Sequence, residues 1–263
     1  MPKFAANLSL MFTEVDFLDR FGAARASGFE AVECLFPYAW PAAEIAERLA
    51  RHQLKLVLHN LPAGNWAAGE RGIACDPARV GQFQDSVALA LEYATALGVP
   101  QLHCLAGIVP AGVTRAKAHA TYVDNLRFAA SALRRHGLHL LIEPINNIDM
   151  PGYLLTGSDQ AAGIMQECEH DNLFMQFDMY HMQRMEGGMQ GELARAIARH
   201  LPLIRHMQLA DVPGRHEPGT GQIDYRTLFA LIDELGYTGW IGCEYHPQGR
   251  TEAGLGWIST LLA

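Results

Sequence analysis

With 263 residues, 49% of them hydrophobic and 18% charged, the chain has the composition of a globular protein able to bury a sizeable core. Its formal charge of −8, with no run of Lys or Arg, argues against nucleic acid or an anionic membrane as partner and favours a small molecule. No stretch approaches the roughly 18 apolar residues of a membrane span, and MPKFAANLSLMFTEVDF lacks the basic start and long apolar core of a signal peptide, so a cytoplasmic protein is expected.

In chain order, short apolar runs alternate with longer amphipathic segments. FAANLSL from residue 4 leads into DFLDRFGAARASG, AVECLF from 31 into PAAEIAERLARHQ, and LKLVLHN from 54 into PARVGQFQDSVALALEYATALG. QLHCLAG from 101 precedes TRAKAHATYVDNLRFAASALRRHG, LHLLIEPIN from 138 precedes GSDQAAGIMQECEHD, and LFMQFDMYH from 173 precedes GELARAIARHLP. IRHMQLAD from 204 and DYRTLFALIDELG follow, then GWIGCEYH from 239 and TEAGLGWISTLL. Several helical segments end in Gly or Pro, as helix stops should.

Eight strands buried on both faces and joined by helical crossovers predict an α/β fold, a closed (β/α)8 TIM barrel, with residues 1–263 as one domain. The rival is a doubly wound open sheet, in which ligands would bind at a topological switch point. Long polar stretches follow the third strand (LPAGNWAAGERGIACDP), the fifth (NIDMPGYLLTG) and the seventh (VPGRHEPGTGQI), which predicts one active face at the carboxyl ends. The cysteines at 34, 75, 104, 168 and 243 are odd in number and form no C-x-x-C pair, so they read as reduced packing residues.

The fifth to eighth strands each carry an oxygen-bearing side chain near the carboxyl end: Glu143, Asp178, Gln208 and Glu244, separated by 35, 30 and 36 residues. Each interval is about one strand-plus-helix unit, so consecutive barrel strands would bring all four to one mouth. Three carboxylates in a low-dielectric site repel one another and rise in pKa unless a cation neutralises them. A divalent metal is the economical solution, and oxygen ligands suit a hard ion, Mg²⁺ or Mn²⁺. The bland alternative is four separate strand ends meeting solvent or a neighbouring Arg.

His59 and His103, at the ends of the third and fourth strands, and His181, three residues after Asp178, are candidates to contact substrate. Arg71 in the third loop could clamp a carboxylate, and Arg215 in the seventh joins it as a candidate substrate contact. His206 shares a strand face with Gln208 and reads as a packed histidine behind the ligands; Glu33 can simply pair with a nearby base. The methionine-rich MYHMQRMEGGM reads as packing of helix against strand. Neither a Gly-rich phosphate fingerprint nor a nucleophile elbow is present.

The segments LHNLPAGNWAAGERGIA, LLIEPIN, QFDMYHMQRMEG, RHEPGTGQIDY and GWIGCEYHPQGRTEAGL resemble the hydroxypyruvate isomerases of the xylose-isomerase-like barrel superfamily, over nearly the whole chain. That resemblance implies interconversion of hydroxypyruvate and tartronate semialdehyde, with Glu143 and Glu244 as the acid/base pair and Glu143, Asp178, Gln208 and Glu244 around the metal. It implies a small 2-oxo or hydroxy acid as the partner and leaves self-association open. The chain departs from the family pattern at Asn65, His103 and His246, where Asp, Asn and Lys are expected. A sister group acting on 2-oxo-tetronates shares the chemistry and is the nearest alternative. From other classes come a metal-dependent phosphodiesterase of the abasic-site endonuclease type, a dehydratase of sugar acids or inososes, and a non-catalytic sugar-acid binder. Gly214 stands two residues before His216, where the nuclease pattern has an acidic ligand.

Overall fold

A computed structural model describes residues 1–187 and 191–262. Its eight strands are β1 (Lys3–Asn7), β2 (Ala31–Cys34), β3 (Lys55–Asn60), β4 (Gln101–His103), β5 (His139–Ile142), β6 (Leu173–Asp178), β7 (Ile204–Leu209) and β8 (Trp240–Cys243). Every neighbouring pair is parallel, and β8 pairs with β1, so the sheet closes in chain order as the alternation of elements predicts. The principal helices between strands are α1 (Phe17–Ala26), α2 (Ala42–His52), α3 (Val80–Leu97), α4 (Arg115–Arg134) and α5 (Ser158–Cys168). They continue with α6 (Met179–Met185), α7 (Glu192–His200), α8 (Tyr225–Glu234) and α9 (Trp257–Leu262).

Two apolar clusters hold this architecture. The larger fills the layer between sheet and helices, and α3 shows how the sequence builds it: Phe83, Val87, Ala90, Ala94 and Leu97 recur at helical spacing and are buried. Each large side chain so buried contributes about 1.5–3 kcal/mol. The helix stops at Gly98, whose φ of +65° is the left-handed conformation that glycine adopts without strain.

The smaller cluster, Ala5, Ala31, Val57, Leu58 and Leu141 with Phe174 and Trp240, forms an apolar floor inside the barrel. Strand residues alternate between faces, so two positions further along the same strands the inward side chains are Asn7, Glu33, Glu143 and Gln176, with Gly242 opposite. Two positions further again on β6 and just past β8 come Asp178 and Glu244. The barrel therefore grades from apolar floor to buried polar layer to acidic mouth.

One difference from the sequence expectation bears on the site. The apolar run LFMQFDMYH is not strand throughout: β6 ends at Asp178 and α6 starts at Met179, with the Asp178 side chain accepting from Tyr180 N at 2.8 Å as the helix cap. Met179 and Met182 are fully buried, in keeping with a packing role for the methionine-rich stretch, whereas its Gly188 and Met189 lie outside the described residues. All five cysteines are buried and free. Among the described residues, no helix is long and apolar enough to cross a membrane.

Candidate active site

Glu143 and Glu244 each stand one residue past the end of a strand, β5 and β8, and Asp178 closes β6. Ligand-type atoms of Glu143, Asp178, His181 and Glu244 lie within 4.8 Å of one another, and all four residues are buried. Three of them, Glu143, His181 and Glu244, line a cavity of about 330 Å³ whose wall also includes Asn60, His103, Arg215 and His246. Its apolar wall comes from the loops, through Leu10, Leu35, Trp66, Leu105, Ile145 and Met150. A hollow at the opposite, amino-terminal end of the strands, lined by Gln101, Arg205 and Trp240, holds no such group of acids among the described residues.

The electrostatics follow from burial. Desolvation, then the neighbouring Glu244 and Asp178 carboxylates, hold Glu143 well above the usual carboxylate range. Burial pushes Glu244 up to about 8 despite the opposing pull of Arg215, and Asp178 up to about 6. The histidines go the other way: burial lowers His103 to about 3 and His59 to about 4, and takes His181 well below its ordinary value. They are neutral at physiological pH and cannot balance the acids.

Arg215 is the one guanidinium lining the cavity among the described residues. It donates to Glu244 Oε2 at 2.5 Å, lies 3.8 Å from Asp178 Oδ2, and is 5.1 Å above the Tyr180 ring. Burial works against its charge, but Glu244, Asp178 and Glu143 outweigh that and raise its pKa above the ordinary guanidinium value. A turn sets it there: Arg215 has φ +56°, a left-handed conformation costing a non-glycine residue about 1 kcal/mol. Arg215 N donates to Asp211 O and its carbonyl accepts from His246 N, both at 2.9 Å. The Asp211 carboxylate gathers the rest of the loop by accepting from Gly219 N, Gly221 N and Ile223 N.

Hydrogen bonds also decide what the histidines present. Asn146 Oδ1 accepts from Ile148 N and Asp149 N, so its Nδ2 faces His181 Nδ1 at 2.6 Å. With Nδ1 accepting, the protonated nitrogen of neutral His181 is Nε2, 3.6 Å from Asp178 Oδ2 and 4.0 Å from Glu143 Oε1. His103 pairs Nδ1 with Asn60 Oδ1 at 3.1 Å and turns Nε2 to Glu143 Oε2 at 3.5 Å.

Other expected residues stand further back. Gln208, the register partner of Asp178, has both ends of its carboxamide engaged, donating to Glu33 Oε1 at 2.7 Å and accepting from Gln176 at 2.6 Å. His59 lies behind the cavity wall with Nδ1 3.3 Å from the Tyr38 hydroxyl. Arg71 stacks 4.2 Å over Trp66 and donates to the carbonyls of Trp66 and Glu70; Trp66, not Arg71, lines the cavity among the described residues. Glu33 pairs with His206 at 2.6 Å, as a lone buried carboxylate beside a base should. Sequence reasoning passed over Asn60 as a cavity residue, although it ends its strand as the acids do; Asn146, in contrast, carries no local signal for its role.

The donor set fits a hard divalent ion. Glu143 Oε1 and Asp178 Oδ2 are buried oxygens without a hydrogen-bond partner. Three ionised carboxylates beside one guanidinium leave two negative charges, which one divalent cation cancels.

Comparison with known proteins places this geometry in a family. The model of the xylose isomerase-like TIM barrel family matches residues 21–261. Hydroxypyruvate isomerase of Escherichia coli (strain K12) is 51% identical over 258 residues, covering 98% of each chain. The 2-oxo-tetronate isomerase of Cupriavidus necator is 50% identical over 262 residues, covering 100% of this chain and 99% of its own. Among solved structures, one from Brucella melitensis described as an AP endonuclease, family 2, superposes with a TM-score of 0.94 at 45% identity, covering 99% of both chains. The chain belongs to the xylose isomerase-like TIM barrel family.

Proposed function

We propose that this protein is an aldose–ketose isomerase of small 2-oxo acids, with hydroxypyruvate and 2-hydroxy-3-oxopropanoate as its substrate pair. The observation that carries the reading is the pair of buried carboxyls, Glu143 and Glu244, which line the cavity and are held with Asp178 within 4.8 Å. The isomerisation removes a proton from the hydroxymethyl carbon and returns one to the former carbonyl carbon, while the hydroxyl proton passes between the two oxygens. One glutamate takes the carbon-bound proton and the other delivers its replacement, through a cis-enediolate. Burial suits both to this task, since it raises both above the usual carboxylate range, Glu244 to about 8. Neutral His181 and His103 can hydrogen-bond substrate oxygens without competing for the proton, and Arg215 offers the positive charge that attracts an acid substrate. Glu143, Asp178, Gln208 and Glu244 would hold a Mg²⁺ or Mn²⁺ ion, whose Lewis acidity stabilises negative charge developing on the substrate oxygens. The same reading takes residues 1–263 as one cytoplasmic catalytic domain.

The second reading, a 2-oxo-tetronate isomerase, is favoured by a specific observation. Two positions where the sequence leaves the hydroxypyruvate pattern, His103 and His246, both line the cavity. An NMR assay offering hydroxypyruvate and 2-oxo-tetronates side by side, with Mg²⁺, Mn²⁺ or chelator, separates the two. Faster turnover of a four-carbon acid would reverse their order, and deuterium entering from solvent at the reacting carbon supports the enediolate. Hydrolysis of abasic DNA, with several tightly bound zinc ions per chain, would instead support the nuclease class.

A further inference from the structure

Beneath the acidic mouth lies a buried carboxylate that the chemistry above does not use. Glu33 is 1% exposed and is surrounded by donors. Its Oε1 accepts from Asn7 Nδ2 at 3.0 Å and from Gln208 Nε2 at 2.7 Å, and its Oε2 accepts from His206 Nε2 at 2.6 Å. The backbone makes room for it: a Cβ added at Gly242 would lie 2.3 Å from both carboxylate oxygens.

An ionised carboxylate can only accept, so the carboxamide beside it must turn its nitrogen inward and its oxygen away. At Gln208 that oxygen, which accepts from Gln176 Nε2 at 2.6 Å, is the atom proposed above as a metal ligand. Asn7 extends the constraint to a second ligand. Its Oδ1 accepts from Ser9 N at 3.0 Å, which leaves Nδ2 bridging Glu33 and, at 3.3 Å, Glu244 Oε1. Glu33 thus reaches, from β2, ligands on β7 and just past β8, three and two strands away in the closed barrel.

We propose that Glu33 is a positioning residue for metal binding: its charge holds the Gln208 nitrogen, so that the carboxamide turns its oxygen away from Glu33, and, through Asn7, holds Glu244 in place. This rests on the reading of Gln208 and Glu244 as metal ligands. Groups that orient ligands in this way typically change metal affinity by about 10–100-fold when removed. A purely structural ion pair with His206 would instead alter thermal stability and leave the affinity alone.

The test measures Mn²⁺ dissociation constants by electron paramagnetic resonance of free Mn²⁺, alongside circular dichroism, for wild type, Glu33→Gln, Glu33→Asp and Gln208→Ala. In Glu33→Gln the new amide can donate or accept, so Gln208 is free to flip. Glu33→Asp keeps the charge but withdraws the carboxylate by one methylene, and serves alone if the first variant does not fold. Both should bind Mn²⁺ about 10–100-fold more weakly while keeping the wild-type spectrum. Wild-type affinity in Glu33→Asp overturns positioning by Glu33, provided Gln208→Ala is weakened. If Gln208→Ala also binds normally, it is the assignment of Gln208 as a ligand that falls.

Discussion

Loading the site with one divalent ion at pH 7 should expel at least about one proton from the protein. The count comes from the acids themselves. Glu244, pushed up to about 8, is about nine-tenths protonated at that pH, and burial and Glu244 shift Glu143 in the same direction. Asp178, at about 6, is about one-tenth protonated and adds little. Carboxylates ligate only when ionised, so the entering ion displaces what the first two carry. Isothermal titration calorimetry with Mn²⁺, repeated in buffers of widely different ionisation enthalpy, reads the number as the slope of observed heat against that enthalpy. A slope of at least about one is expected, with apparent affinity rising by at least about one decade per pH unit between pH 6 and 7. A slope near zero would mean that the acids are already ionised without the metal, and the argument from burial and mutual repulsion would be refuted.

Three further outcomes can be checked. Glu143→Gln keeps size but removes a proton carrier, so kcat should fall by about 10²–10⁴ at saturating Mn²⁺; turnover at the wild-type rate would remove Glu143 from the chemistry. In chelator-treated protein, a carboxyl whose folded pKa is raised contributes stability that is complete below its ordinary value of 4.5 and is lost as pH rises through about 8. The buried histidines, lowered from 6.5 to about 3 and about 4, contribute stability above 6.5 that is lost on acidification, so above pH 6.5 the carboxyls act alone. Thermal stability should then drop between pH 6.5 and 8, by up to about 1.4 kcal/mol per unit from Glu244, and a flat melting profile would contradict it. Gly242→Ala drives a methyl into the Glu33 carboxylate and should cost about 1–3 kcal/mol in chemical denaturation, whereas an unchanged midpoint would show that β8 can yield there.

Much of the architecture was legible because it is written locally. Strand runs and helical periods need only a dozen residues each, and the one-unit spacing of Glu143, Asp178 and Glu244 becomes convergence as soon as the barrel closes. The start of α6 was hidden because FMQFDMYHM is apolar at both strand and helix spacing; the structure ends the strand at Asp178, whose side chain caps the helix. The network around Glu33 was illegible for another reason. Its partners lie 26, 173 and 175 residues away, and no sequence period connects a carboxylate on β2 to an amide on β7. Arg71 and Arg215 were equivalent as sequence, both being loop arginines after a strand. Only the left-handed turn at Arg215 and the stacking of Arg71 on Trp66 tell them apart.

The acids ride on strand ends, whereas the apolar wall rides on loops, and this divides the molecule into parts that can change independently. Register and charge at the mouth are tied to the sheet, so altering them disturbs many neighbours at once. Trp66, Ile145 and Met150 belong to connecting segments that bear none of the strand pairing. A library confined to Trp66 and Met150 should therefore shift the preferred chain length of the acid while leaving the strand register and the placement of the acids intact, whereas Ile145, 2% exposed, also packs in the core. Selection could move such a protein between neighbouring substrates in the same way.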